Sequence, residues 1–419
     1  MALDVLRVRE QFPALEAGEV FLDNPGGTQI SRMAMQAMRD YLLTANANHG
    51  GAFSTSRASD ARVEEARAAM AAFIHARRPE EIVFGANMTT LTFQLSRSLG
   101  HLLHPGDTLA VTRLDHDANV SPWLMLAEEH ECRVRWVDFH PEDGTLDLDD
   151  LRAALEERPR LLAVGYASNA LGTINPVRQI VEWAHQAGAL IYVDAVHFAP
   201  HGPIDVQQLD CDFLVCSAYK FFGPHLGILY GKYDLLEGLP AYRVRPAPAE
   251  PPGKFETGTG NFETISGLLG ALDYVRWLGM NYGGEQAERY AGEYSGEPLV
   301  YKQAMGAVRA YEFELSRRFL DVLGQVPGLR LYGPSDPRRL EERVPTFSFT
   351  LEGQSPRQVA ERLGQSGLHA WDGNFYALGV TQRLGLEERG GLVRVGAAHY
   401  NTREEIDRLG ALLADIARS

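Results

Sequence analysis

Between about Ser31 and Ile265 short apolar runs alternate with stretches of helical period, and this alternation limits the chain to very few folds. "EEIVFG", "DTLAVT", "CRVRWVDF", "RLLAVGYAS", "ALIYVDAV", "CDFLVCSA" and "GILYG" have the length and apolar character of buried strands. "DARVEEARAAMAAFIHA", "LDDLRAALEER" and "PVRQIVEWAHQAG" carry apolar residues on one helical face. Strands that are apolar throughout and separated by helices predict a mostly parallel sheet covered on both sides. In such a sheet ligands bind at the carboxyl ends of the strands.

A second pattern begins at Ser266. Residues 266–325 are expected to be connecting helices, interrupted by the Gly/Tyr-rich stretch "MNYGGEQAERYAGEYSGEP", read either as a loop over a site or as a surface excursion. Residues 326–419 read as a small α+β domain: strand "TFSFTL", helix "SPRQVAERLGQSG", strand "LHAWDG", strand "LVRVGAA", helix "TREEIDRLGALLADIA". Both helices open on a capping signature, Ser355 with Gln358 and Thr402 with Glu405. The expected organisation is a large domain over 31–265, these two C-terminal parts, and an N-terminal segment, 1–30, that packs with the small domain.

Charge narrows the partners. With 40 Lys and Arg against 55 Asp and Glu the net charge is −15, which argues against nucleic acid or an anionic membrane. No apolar run approaches the roughly 20 residues of a membrane span. The N-terminal stretch "MALDVLRVREQFPALEAGEV" has no signal-peptide core. The three cysteines have neither metal-ligand spacing nor an even disulfide framework. A cytoplasmic protein is expected.

The chemistry-bearing residues fall at strand ends. "CSAYKFFGPHLGILYG" sets Lys220 between two apolar strands, where an ammonium is costly unless paired or deprotonated. "ALIYVD" ends on Asp194, with His197 three residues on. Singly, the aspartate could cap the next element and the histidine could be a satisfied core group. Together they would bring a carboxylate, an imidazole and a lysine to one crevice. Pyridoxal 5′-phosphate requires such a set: a Schiff-base lysine, a carboxylate for the pyridine nitrogen, a ring-covering group and an anion site. "EEIVFGANMTTLTFQLSRSL" supplies a strand, a turn and a helix opening near Met88 and Thr89, whose free N–H groups suit a phosphate. Ser217 adds a hydroxyl, and His116 in "TRLDHDANVSPW" could cover the ring.

These residues resemble the class V aminotransferase-fold enzymes, most closely the cysteine desulfurase and selenocysteine lyase branch. The likeness spans nearly the whole chain and is strongest in "LDHDANVSPW", "SNALGTINPV", "IYVDAVHFAPHGPIDVQQLDCDFLVCSAYKFFGPHLGILYG", "FETGTGNFETISGL" and "LVRVGAAHYNTREEIDRL". It implies α/β architecture of fold type I, as in pyridoxal-phosphate-dependent transferases. It also implies a homodimer with its sites at the subunit interface. Lys220 would be the Schiff-base lysine and Asp194 the pyridine partner. His116 would lie over the ring, with Asn169 and His197 near the phenolic oxygen. Thr89, Ser217 and Tyr219 would meet the phosphate, joined by Thr259 of a second subunit. Arg394 matches the arginine that clamps a substrate carboxylate, and Asn24, Trp371 and Tyr376 are expected around the same amino-acid substrate.

Four departures stand out from desulfurases of this branch. His197 replaces a usual glutamine, Tyr219 a usual histidine, and Trp371 a usual arginine. The stretch "LHAWDGNFYALGV", where those enzymes carry a persulfide-forming cysteine, has Tyr376 near that place and no cysteine. Sulfur transfer of that kind needs a thiolate. The expected reaction is therefore β-elimination of a sulfur or selenium leaving group from a cysteine-like amino acid. Transamination, epimerisation and a non-catalytic cofactor-binding scaffold are the alternatives.

Overall fold

The seven apolar runs become the strands of one sheet in the computed structural model, which describes residues 3–418. They are β1 (Ile82–Gly85), β2 (Thr108–Thr112), β3 (Arg133–Val137), β4 (Leu161–Gly165), β5 (Leu190–Asp194), β6 (Phe213–Ser217) and β7 (Gly227–Gly231). Their spatial order is β1-β7-β6-β5-β4-β2-β3. Only β7 runs against its neighbours. The connection 218–226 that carries Lys220 is too short for a parallel crossover, so the chain returns antiparallel.

Period-2 alternation sends side chains to two cores. Ile191 and Val193 of β5 join the cluster under the helices Ser54–Ile74 and Phe262–Tyr282. Tyr192 between them joins the opposite cluster, under Met88–Leu99 and Ser121–Glu129. β4, β6 and β7 are buried throughout, as strands covered on both faces must be. β3 is the half-exposed edge, which explains its two arginines.

The C-terminal part is a four-stranded antiparallel sheet of β8 (Leu329–Tyr332), β9 (Thr346–Leu351), β10 (Trp371–Gly373) and β11 (Leu392–Gly396), in the order β10-β11-β9-β8. Helices Pro356–Gln365 and Arg403–Ala417 pack on it, and both expected capping boxes form. The end of the long helix Gly296–Leu323 inserts Leu315 and Phe319 into the same core.

Three details depart from the sequence reading. "LHAWDG" is not one strand: Leu368–His369 pairs with Val20–Phe21, and only Trp371–Gly373 joins the sheet. β8 was not anticipated. The Gly/Tyr-rich stretch folds down on the large unit, with Tyr290 and Tyr294 buried and the Tyr294 hydroxyl donating to Asp205 at 2.6 Å. The N-terminal segment serves both units: Val8, Phe12 and Leu15 enter the large core, Val20 and Leu22 the small one. Met1, Ala2 and Ser419, within the expected 1–30 and 326–419 segments, lie outside the described residues. No helix among the described residues is long and apolar enough to cross a membrane.

Candidate active site

At the carboxyl ends of β4, β5 and β6 lies a cavity of about 570 Å³, its mouth included. Asn87, Met88, Thr89, Asp115, His116, Asn169, Asp194, His197, Ser217, Tyr219 and Lys220 are among its walls. A wider surface cleft beside Arg339 and Glu342 contains no lysine and is edged by exposed ion pairs.

Lys220 follows β6 on a single helical turn, Ala218–Lys220, and its ammonium end donates to the Pro25 carbonyl. The residue is 8% exposed. Burial lowers the amine to about 7, with the Arg394 charge adding to the effect and Asp194 opposing it. An unfolded lysine titrates near 10.5, so between about 7 and 10.5 the unfolded chain holds the extra proton and stability of the cofactor-free protein rises with pH. Lys220→Met removes that penalty. It should raise the melting temperature of cofactor-free protein at pH 7, by a stabilisation of order 2–4 kcal/mol, and flatten the pH dependence. Thermal melts at pH 7 and 9.5 check this, and an unchanged or lower value at pH 7 would contradict the charge balance.

Two carboxyl groups share the floor. Asp194 ends β5 and accepts from the Val196 N–H at 2.9 Å; burial raises it to about 6. A cation at the cavity floor, such as a protonated pyridine nitrogen, would hold it ionised. Asp115 receives the Thr112 hydroxyl at 2.6 Å, and burial, with Asp194 adding, pushes it up to about 8. A Cβ at Gly165, the register partner of Asp194, would lie 2.4 Å from Asp115 Oδ1. The missing side chain is what lets the second carboxyl come in.

The opposite end suits an anion. Helix Met88–Leu99 opens there, and its cap Asn87 receives the Thr90 N–H, leaving the first two N–H groups aimed outward. The turn sits against β7, where a Cβ on Gly227 would meet the Asn87 backbone at 2.4 Å. Ser217 Oγ and Asn169 Oδ1 are buried without a hydrogen-bond partner among the described residues. An unpaired buried hydroxyl is costly, and a phosphate oxygen would satisfy the one on Ser217, whereas the Asn169 oxygen, an acceptor, needs a donor. The donor set therefore fits pyridoxal 5′-phosphate.

The roof comes from the C-terminal unit. Phe375 and Tyr376 both hold left-handed backbone, φ +56° and +58°. This lays Tyr376 on His116 at 5.6 Å between rings, and Phe375 on the Arg394 guanidinium at 4.2 Å. Burial, then the Lys220 and Arg394 charges, lowers His116 to about 4. The Asn169 amide donates to the Phe375 carbonyl, and Arg394 Nη1 donates to the Asn169 carbonyl, both at 2.9 Å. Arg394 Nε is buried without a partner among the described residues, so one edge of the fork is free for a carboxylate.

Not every expected residue converges. Asn24 donates to the Phe21 and Gly396 carbonyls and to Asn401, and accepts the Tyr400 hydroxyl, so its amide ties the N-terminal segment to the small unit and is not free for substrate. Thr259 is on an exposed stretch and does not line this cavity. Trp371, 48% exposed, lies across Gly26 and donates to the Asp23 carbonyl at 3.2 Å. Tyr219, by contrast, is part of the cavity wall and stacks on His225 at 4.8 Å. Reading the sequence overlooked Asp115, Asn87 and Phe375. For Asp115 the signal was the spacing Thr112, Asp115, Asn119, which puts a hydroxyl and an amide within reach of one carboxyl.

Comparisons with known proteins identify the family and the fold. Residues 20–294 and 295–409 match the family model described as Aminotransferase class-V. A cysteine desulfurase of Pectobacterium atrosepticum is 36% identical over 100% of this chain and 99% of its own length. An aminotransferase-like protein of Gibberella zeae is 35% identical over 97% of each. Among solved structures, the apo cysteine desulfurase of Thermococcus onnurineus superposes with a TM-score of 0.87 at 26% identity, covering 100% of both chains.

Proposed function

The chain belongs to the class-V aminotransferase family, and from that premise we propose that it eliminates a sulfur leaving group from the β-carbon of a cysteine-type amino acid. It is a cysteine desulfurase-like, pyridoxal-phosphate-dependent enzyme. When bound, the cofactor supplies an electron sink joined to the substrate nitrogen, which makes the α-proton removable and a β-substituent expellable.

The protein's own groups do the rest. Lys220 would hold the cofactor by its aldehyde carbon, Asp194 its ring nitrogen, and His116 one ring face. Asn169 and His197 would face the phenolic oxygen. Met88, Thr89, Ser217 and Tyr219 would hold the phosphate, with Thr259 arriving from the second subunit of a homodimer. Arg394 would orient the α-carboxylate by its free edge. Lys220, with its amine near neutrality, would take the α-proton once displaced.

One observation carries the choice of reaction: among the described residues no thiol lines the cavity. Cys211 and Cys216 are buried with their thiols pushed far up by desolvation, and Cys132 lies beside His104, outside the lining. Removing sulfur from cysteine to leave alanine requires a thiolate to accept that sulfur. Elimination needs none: the Cα–H and Cβ–S bonds break, the thiol leaves with a proton, and water converts the remainder to pyruvate and ammonium without any change in overall oxidation state. Tyr376, stacked on the wall residue His116, is 73% exposed, which leaves room beside it for a substituent on sulfur.

The test is product analysis with L-cysteine and S-alkyl cysteines. Equimolar pyruvate, ammonia and thiol or sulfide is expected, with no persulfide on the protein by mass spectrometry. Alanine as product, a protein persulfide, or a keto acid formed against an amino acceptor would each overturn the reading.

A further inference from the structure

The departure at position 197 has a structural counterpart 149 residues away. His197 Nε2 and Thr346 Oγ1 lie 2.9 Å apart, and each is the other's hydrogen-bond partner. Thr346 opens β9 in the C-terminal unit and is 0% exposed; its hydroxyl has no other partner among the described residues. The backbone there is occupied, the N–H donating to the Val344 carbonyl and the carbonyl receiving Arg343.

Direction follows from counting hydrogens. If Nε2 carried the imidazole hydrogen, the Thr346 hydroxyl hydrogen would point into a dry core with no acceptor, a loss of about 1–3 kcal/mol. If Thr346 donates, both groups are satisfied and the ring hydrogen sits on Nδ1. Nδ1 has no partner among the described residues, and the ring lines the cavity. We propose that Thr346 is a positioning residue that locks His197 in the Nδ1–H tautomer, so that this chain presents a single N–H donor to the cofactor's phenolic oxygen where its relatives present an amide.

Glutamine needs no such lock, because its amide always carries both donor and acceptor; a histidine can offer either a hydrogen or a lone pair, and a lone pair would repel an anionic oxygen. The titratable and charged groups facing the ring are His201, Lys220, Arg394 and His116. Burial and those surroundings hold the imidazole well below its usual range, so it stays neutral and Nε2 stays an acceptor. His201, edge-on to His197 at 5.6 Å, is itself tied to the buried Glu312 at 2.9 Å. Because Thr346 belongs to the small unit and His197 to the large one, the lock closes only when the two units are docked.

The inference about the phenolic oxygen rests on the cofactor assignment above; the tautomer itself does not. Two readouts separate them. In protein labelled with 15N-histidine (13 histidines, with His197 assigned by His197→Gln), cofactor-free wild type should show His197 protonated on Nδ1. Thr346→Val should abolish the preference and leave a mixture of the two neutral tautomers, and Thr346→Ser should keep the proton on Nδ1. A wild-type ring protonated on Nε2 overturns the lock, whatever the enzyme does. In holoprotein, the pH midpoint of the cofactor's absorbance change should rise by about one unit in Thr346→Val, recover in Thr346→Ser, and be indifferent to Thr346→Val in a His197→Gln background. An unchanged midpoint in Thr346→Val would overturn the contact with the phenolic oxygen.

Discussion

Alanine at position 220 should give a folded protein with no covalently held cofactor and turnover lowered by at least about 10³-fold, the size expected when both an attachment point and a general base are lost. Lys220 is the one lysine in the cavity wall, and its surroundings make it reactive: it is desolvated, it faces Arg394, and its partner is a neutral carbonyl. The other two buried lysines among the described residues offer no substitute: Lys302 donates to the Phe73 and Ile204 carbonyls, Lys254 to the Glu237 carbonyl, and neither is part of this wall. The phosphate end does not involve the lysine amine, and the variant should still bind the cofactor non-covalently. Borohydride reduction followed by peptide mass mapping reads the linkage. A wild-type adduct on any other lysine, or a Lys220→Ala protein with normal turnover, would remove the lysine from the mechanism.

Arg394→Ala should lower kcat/KM for α-amino acids by about 10²–10³-fold, the value of two charge-assisted hydrogen bonds worth about 3–4 kcal/mol together. The guanidinium is placed from three directions: Nη1 holds the Asn169 carbonyl, the Phe375 ring covers one face, and β11 fixes the backbone opposite Trp371. Burial lowers it to about 9, which still leaves a cation at neutral pH. Lysine at 394 keeps the charge and loses the fork, so Arg394→Lys should recover only part of the loss. Substrates stripped of the carboxylate provide the control. Wild type should strongly prefer the amino acid to the corresponding amine, and in Arg394→Ala that preference should collapse. A variant that keeps the preference would place the carboxylate elsewhere.

The two predictions draw on different kinds of information. Lys220 and Asp194 could be singled out in the sequence because Asp194 ends one five-residue apolar strand and Lys220 follows another by three residues, and a charged group there faces the carboxyl edge of the sheet. His116 and the helix opening at Met88 were legible for the same reason, as was Arg394 through its motif. Asn24 was not: it looks like any polar turn residue, and only the contacts with Gly396, Tyr400 and Asn401, more than 370 positions away, show that its amide is consumed. Thr259 does not line the cavity.

The sequence by itself determined the seven-stranded sheet, its mostly parallel sense, both capped helices of the C-terminal unit and the lysine–aspartate pair. Local signals suffice there, since apolar periodicity, caps and a connection too short for a crossover each act within one or two dozen residues. Tertiary structure alone decided that "LHAWDG" would divide between two sheets and that Asp115 would press against Gly165. It also decided that Phe375 would lie on Arg394 and that Thr346 would reach His197. These are meetings of segments far apart along the chain. Their geometry depends on how packed units dock, a quantity to which no local period or propensity is sensitive.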